Sequence, residues 1–412
     1  MQNNIRYIKI KQHFEDQKIQ KIDNVLENVL KKFNDLEFSG KNIAIAVGSR
    51  GINNIALIIK TVVNYFQESG AKPFIFPAMG SHGGATAKGQ AKILESYGIT
   101  ENSMNCPIKS SMEVVEIDNT GLENKLYMDK YAYNSDGIFL INRIKPHTSY
   151  HANYESGLVK MIVIGVGKHK QALEIHQHGT YGLKVLNPKS ANRILSTGKI
   201  IGGIAIIENA YDETMIIKAL QKDEIMTQEP ELLKIAIENM PKLPIKNIDI
   251  LIVDKIGKNI SGVGMDPNII GRRRVFGEEE PEYPNIKEII IDDISEESHG
   301  NALGIGLADL ITEKLYKKIN FQAMYENAFT SGFHERAKVP IIAKSINETL
   351  KYAFRACGKP NNRELKIIRI KDTLHLGEIY VSETVINDIK IEFDILNETV
   401  NLLDKNGNLT SF

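Results

Sequence analysis

NIAIAVGSRGINNIALIIKTVVNYF, residues 42–66, decides the fold class. Residues 42–47 form a short apolar run of the kind a strand buried on both faces requires. The glycine-containing turn GSRG follows at 48–51, and apolar residues then recur at helical spacing from about residue 53. The plan repeats at once. KPFIFPAMGSHGGATAKGQAKILESYG (72–98) places a strand near 73–76, a Gly-rich turn and a helix near 86–97, with Thr86 as a possible cap. A third strand, GIFLIN at 137–142, runs directly into a histidine-rich segment. Strand, glycine turn and helix in succession predict a parallel, doubly wound sheet.

Working outward, residues 19–34 carry apolar side chains at helical spacing, from Ile19 and Ile22 to Leu30 and Phe33. GGIAIIEN (202–209) reads as a strand, and 213–221 and 230–239 as helices that complete a first domain. PKLPIKN (241–247), with two prolines, is the natural linker. DILIVDKIGKNISGVG (249–264) restarts the strand-then-turn pattern, and NIKEIIIDDI, LKIIRI, GEIYVS and IKIEFDIL supply further strands. The expected organisation is two α/β domains with mainly parallel sheets, residues 1–245 and 246–412. Ligands bind such sheets at the carboxyl ends of strands. Arg50, His82, His147 and Lys258 all lie in turns just after strands, and are therefore candidate site residues.

Composition removes several function classes. The chain has 51 basic and 51 acidic residues, so it carries no electrostatic footprint for nucleic acid or an anionic membrane. Its first residues are charged throughout, unlike a signal peptide. No apolar run approaches the roughly 18–20 residues of a membrane span. Cys106 and Cys357 lack metal-ligand spacing and read as reduced thiols of a cytoplasmic protein.

Asn142–His178 holds five of the ten histidines (His147, His151, His169, His176 and His178) and Lys160 in an apolar, glycine-punctuated run. Histidine changes charge near neutral pH and is the commonest ligand of borderline metals. A lysine among apolar residues is strained or chemically employed. GVGK (165–168) fails the phosphate-loop pattern, since position 162 is Ile and 169 is His. The pair His147/His151 lacks the glutamate of an HExxH metalloprotease. His169 and His176 fall two turns apart on one helix face.

The order GSRG, GSHGGAT, NRIKPH, ESGLVK, then His176 sixteen residues after Lys160, resembles the nickel-pincer lactate racemase family. The resemblance continues in DKIGKNISGVG and SHGNALGIGLAD. It implies an isomerase, a racemase or epimerase of a 2-hydroxy acid, with its site in an interdomain cleft and a nickel pincer nucleotide as cofactor. On that resemblance Lys160 tethers the cofactor and His176 ligates nickel. His82 and His147 are the acid–base pair, and Ser49, Arg50 and Lys258 contact cofactor or substrate. Three residues more than expected separate the proline–histidine pair from the lysine, which leaves His151 as an alternative to His147. The partners implied are the small substrate and the proteins that synthesise the cofactor. RRR at 272–274 reads as an exposed basic run. Two other functions use the same residues: a zinc- or manganese-dependent hydrolase, and a relative that binds the cofactor without turnover.

Overall fold

The computed structural model describes residues 5–412, which divide into two compact units. One is continuous, Glu15–Met240; the other joins residues 5–14 to Pro241–Phe412.

The unit 15–240 is built on a five-stranded sheet in the order Lys72–Pro77, Asn42–Val47, Gly137–Arg143, Ile200–Glu208, Thr214–Gln221. The first four strands run parallel and the last is antiparallel. Asn42–Val47 shows why the sheet is wound on both faces. Ile43, Ile45 and Val47 enter one core with Ile58, Val62 and Phe66 of the helix Ile55–Glu68, and with Leu26 and Leu30 of Ile22–Leu30. Ala44 and Ala46 enter the opposite core with residues 158–166 and with Ile225 and Leu232 of Lys222–Glu238. Fully burying each such Ile, Val, Leu or Phe contributes about 1.5–3 kcal/mol. Alternation along a single strand therefore anchors helices on both sides.

Residues 213–221, expected as a helix, are the strand Thr214–Gln221. Thr214, Ile216 and Ile217 are β-branched, and Ile200–Glu208 presents an open edge that the strand closes in antiparallel register. Tertiary pairing overrode a helical reading of an apolar run that is ambiguous by periodicity alone.

The other unit carries an eight-stranded sheet. Ile341–Ala343, Leu310–Thr312, Asn285–Ile294, Asn247–Ile256 and Ile367–Ile370 are parallel. Glu378–Ser382, Tyr7–Gln12 and Phe393–Val400 follow in antiparallel pairing. The expected first domain began at residue 1, whereas residues 5–14 belong with the chain's second half and the division after them falls at 240/241. Chain order alone had assigned them. Their strand has a hydrogen-bonded neighbour on each side and buries Tyr7, Ile8 and Ile10. The run 272–274 also differs from expectation. Arg273 is buried, and Arg272 pairs with Asp309 at 2.6 Å. Among the described residues no helix is long and apolar enough to cross a membrane. Cys106 and Cys357 are buried free thiols.

Candidate active site

Three adjacent parallel strands, Lys72–Pro77, Asn42–Val47 and Gly137–Arg143, end at one edge of the sheet. The turns GSHGG, GSRG and IKPH leave from that edge, so His82, Arg50 and His147 rise together where ligands bind such sheets. Lys258 belongs to the other unit, just after Asn247–Ile256, where its Nζ donates to the Gly262 carbonyl at 2.9 Å and to Asn327 Oδ1 at 2.6 Å.

Ser49 Oγ is hydrogen-bonded to His82 Nδ1, and the Tyr97 hydroxyl donates to the Ser49 carbonyl at 2.7 Å. The GSRG turn is further pinned by Glu208, which accepts from the Asn53 N–H at 2.7 Å and pairs with Arg143. His82 is accessible to solvent, yet it is crowded by protein atoms. Lost solvation, then the positive Arg50 and Lys160, then His176, hold its pKa down at about 4. Lost solvation also lowers Arg50 itself, opposed by Tyr97 and reinforced by Arg143.

Lys160 stands in the short helical turn Leu158–Lys160, continued by the wider turn Met161–Gly165. Glu229 reaches from the helix Lys222–Glu238 and accepts the Val159 N–H at 2.9 Å, placing a carboxyl at the start of that turn. Gly157 is required there, because a Cβ on it would lie 2.3 Å from Glu229 Oε1. Burial pushes the Glu229 carboxyl up to about 7. Lost solvation, then Arg50, bring Lys160 down to about 8, against the opposing pull of Glu155. A substantial fraction of Lys160 is therefore the neutral, nucleophilic amine near pH 7.5. His176 closes the helix Lys168–His176 and is held at about 4 by lost solvation and then by Lys160. Its ring is neutral at physiological pH, the form that ligates a metal. His169 lies in the first turn of the same helix.

The two histidines left as alternatives are distinguished by their Nδ1 atoms. The Ser149 N–H donates to His147 Nδ1 at 3.1 Å, so the neutral His147 ring carries its proton on Nε2. Tyr150 packs against that ring, with centroids 4.5 Å apart. His151 Nδ1 is instead bound to Glu155 Oε1 at 3.0 Å. Glu155 is itself buried and accepts the backbone N–H groups of His147 and Ala152. This carboxylate fixes the IKPH loop.

Sequence reading assigned nothing to Glu155, Glu208 or Glu229. Glu155 had a detectable signal, since it lies four residues after His151. The partners of Glu208 and Glu229 are 65 or more residues away, and no local pattern announces them.

Arg50, His82, Lys160 and His176 are thus brought into electrostatic range of one another, with Ser49 on His82. The depressed histidines make a pH prediction for the cofactor-free protein. Between pH 6.5 and 4 the unfolded chain binds protons at His82 and His176 that the folded chain does not. Their contribution to stability is complete above pH 6.5 and is lost as pH falls toward 4. Unfolding free energy measured for wild type and for His82→Gln/His176→Gln should diverge across that window. Parallel curves would refute the assignment.

Residues 2–184 match the family model of the lactate racemase N-terminal domain. The matched part of the chain is similar to a lactate racemase N-terminal domain. The chain's structure is similar to that of the lactate racemase apoprotein from Thermoanaerobacterium thermosaccharolyticum, with a TM-score of 0.51 at 14% identity over 89% of this chain and 98% of that one. At such identity the likeness concerns the fold. A crystal structure of a protein from Thermotoga maritima aligns over 68% of this chain and 72% of its own, at 15% identity and a TM-score of 0.47. A comparison with curated proteins gave no match. Arg50, His82, His147, Lys160 and His176 all fall within the residues matched by that domain.

Proposed function

We propose that this protein is a racemase or epimerase that inverts C2 of a 2-hydroxy acid with the help of a nickel pincer nucleotide. The observation that carries the reading is the convergence of a nucleophilic amine, Lys160, and a neutral imidazole, His176, beside Arg50 and His82.

The donor set fits that cofactor. Among the described residues no three His, Cys, Asp or Glu side chains converge to hold a metal. A single imidazole suits a nickel that arrives with its other ligands, and the adjacent amine suits a covalent tether. Catalytic zinc sites take three protein ligands, so the donor set favours this reading over the hydrolase. Arg50 also provides positive charge for an anionic nucleotide. When bound, the cofactor supplies the acceptor and donor of hydride.

The chain's own groups handle protons and orientation. Arg50 holds the substrate carboxylate and fixes which bonds at C2 face the histidines. His82, neutral at working pH, takes the hydroxyl proton through a ring nitrogen while Ser49 steadies Nδ1. His147, its Nδ1 occupied by the Ser149 N–H, presents Nε2 to the oxygen as the second proton-transfer group. In the reverse direction the two exchange roles. Glu155 keeps His147 in place by gripping its backbone.

Intact mass and metal analysis test the reading. Protein co-produced with the cofactor-synthesis proteins should carry a covalent adduct on Lys160 and one nickel per chain. Lys160→Ala should carry no adduct, and His176→Ala should keep the adduct while losing nickel. Wild-type protein with neither adduct nor stoichiometric nickel would sink the proposal. For turnover, a C2-deuterated 2-hydroxy acid should invert with its deuterium retained. Washout to solvent would indicate direct proton abstraction instead.

A further inference from the structure

The lysine of GVGK, excluded as a phosphate ligand, lies inside the core. Lys168 is wholly buried, as are Asp129 and Gln90. Burying such groups is costly unless they are paired, so the arrangement calls for a reason. Lys168 also adopts a left-handed backbone at φ +58°, an uncommon conformation for a residue with a Cβ.

The three side chains form a chain of contacts. Asp129 Oδ1 caps the helix Lys130–Tyr133 by accepting the Ala132 N–H at 3.0 Å, and Oδ2 lies 3.6 Å from Lys168 Nζ. Lys168 Nζ donates to Gln90 Oε1 at 2.8 Å and to the Pro77 carbonyl at 2.7 Å, at the end of the strand that leads to His82. With its oxygen committed to the lysine, Gln90 turns its amide nitrogen toward the loop. Nε2 donates to the Gly80 carbonyl at 3.0 Å and to the His82 carbonyl at 3.2 Å. The lysine thereby fixes the orientation of the amide, because a flipped Gln90 would aim N–H groups at an ammonium and an oxygen at two carbonyls. The loop is pressed against the helix Ala87–Ser96, which carries Gln90. A Cβ on Gly83, at φ +65°, would lie 2.6 Å from the Gly89 carbonyl carbon and 2.7 Å from the Gln90 nitrogen.

We propose that Asp129, Lys168 and Gln90 are a buried positioning strut that holds the backbone on both sides of Ser81 and sets where the His82 ring stands. The inference rests on reading His82 as the acid–base group. Gln90 touches neither substrate nor cofactor in this assignment; it acts through His82.

Two variants separate positioning from folding. Gln90→Met removes both carbonyl contacts without a change of charge and leaves Lys168 with Asp129 and Pro77. Gln90→Glu keeps an acceptor for Lys168, and so keeps the core pair satisfied, but has no donor for the loop. In cofactor-free protein, amide exchange over residues 80–86 should quicken about tenfold in both variants, with the sheet amides unchanged. Carbethoxylation of His82 by diethyl pyrocarbonate, followed by peptide mass, should become several-fold faster as the Ser49 contact loosens. In the loaded enzyme kcat should fall with KM nearly retained, as for a displaced acid–base group. Wild-type exchange over 80–86 and wild-type His82 modification in folded Gln90→Glu would overturn the strut, whatever the loaded enzyme does. Failure of the racemase reading alone would leave both cofactor-free rates shifted and only turnover missing.

Discussion

Lys168→Met should destabilise the unit 15–240 by about 3–5 kcal/mol, the usual result of leaving a buried charge without its partner. Methionine has nearly the volume of the lysine stem, so the loss would reflect electrostatics more than a cavity. Asp129 would remain at zero exposure with only backbone donors to Oδ1, and the Pro77 carbonyl and Gln90 Oε1 would each lose a donor. Burial already raises the Asp129 carboxyl above its ordinary value, chiefly offset by Lys168. Without the lysine its folded pKa rises further. The folded variant then binds more protons than the unfolded chain, and the penalty shrinks as pH falls and Asp129 becomes neutral. Adding Asp129→Asn should recover much of the loss at neutral pH. Native-state hydrogen exchange of the amides at 42–47 and 137–143 is the suitable measurement, because a chain of two units need not unfold in one transition. A loss below about 1 kcal/mol at pH 7, or one independent of pH, would show that the pair is not the support described here.

His82→Ala should reduce turnover of the loaded enzyme by about 10²–10⁴-fold, the range for removing one general acid–base group. Nickel content and the Lys160 adduct should be unchanged, since His82 is neither tether nor ligand in the proposed assignment. At pH 7, where the ring is neutral folded or unfolded, stability should move by no more than about 0.5 kcal/mol, because a single side-chain contact, to Ser49, is lost. The dissociation of these readouts is what makes the variant informative. Loss of nickel along with activity would move His82 from proton transfer to metal binding. Retained turnover would remove it from the mechanism.

The parts of the fold that were legible in sequence are those whose signal is local. NIAIAVGSRG and KPFIFPAMGSHGG each contain strand, turn and helix start within a few residues, and the structure places both strands side by side. His176 was legible because its spacing from Lys160 is part of the family resemblance, and the two residues lie in the helical segments Leu158–Lys160 and Lys168–His176. Residues 214–221 were misread because their partner strand, not their own periodicity, makes them a strand. GVGK was legible only as a failed phosphate loop, and the burial of Lys168 was not. That burial depends on Asp129 and Gln90, 39 and 78 residues away, and no spacing rule encodes such a meeting. The candidate site divides in the same way. The residues proposed to meet substrate and cofactor lie in short motifs. Those that hold them in place, Gln90, Glu155, Glu208 and Glu229, do so through contacts mostly far apart in sequence.

The strand Tyr7–Gln12 also has a bearing on biosynthesis. It is synthesised more than 360 residues before its neighbours, Glu378–Ser382 and Phe393–Val400. Residues 15–240 have a complete core of their own and can fold while the rest is being made. The opening strand must wait, paying the closure entropy of a loop of more than 360 residues before it gains a single ladder bond. Its alternation of Tyr7, Ile8 and Ile10 with Lys9 and Lys11 suits that interval. Two lysines in a six-residue strand discourage pairing with other nascent chains until its proper slot exists.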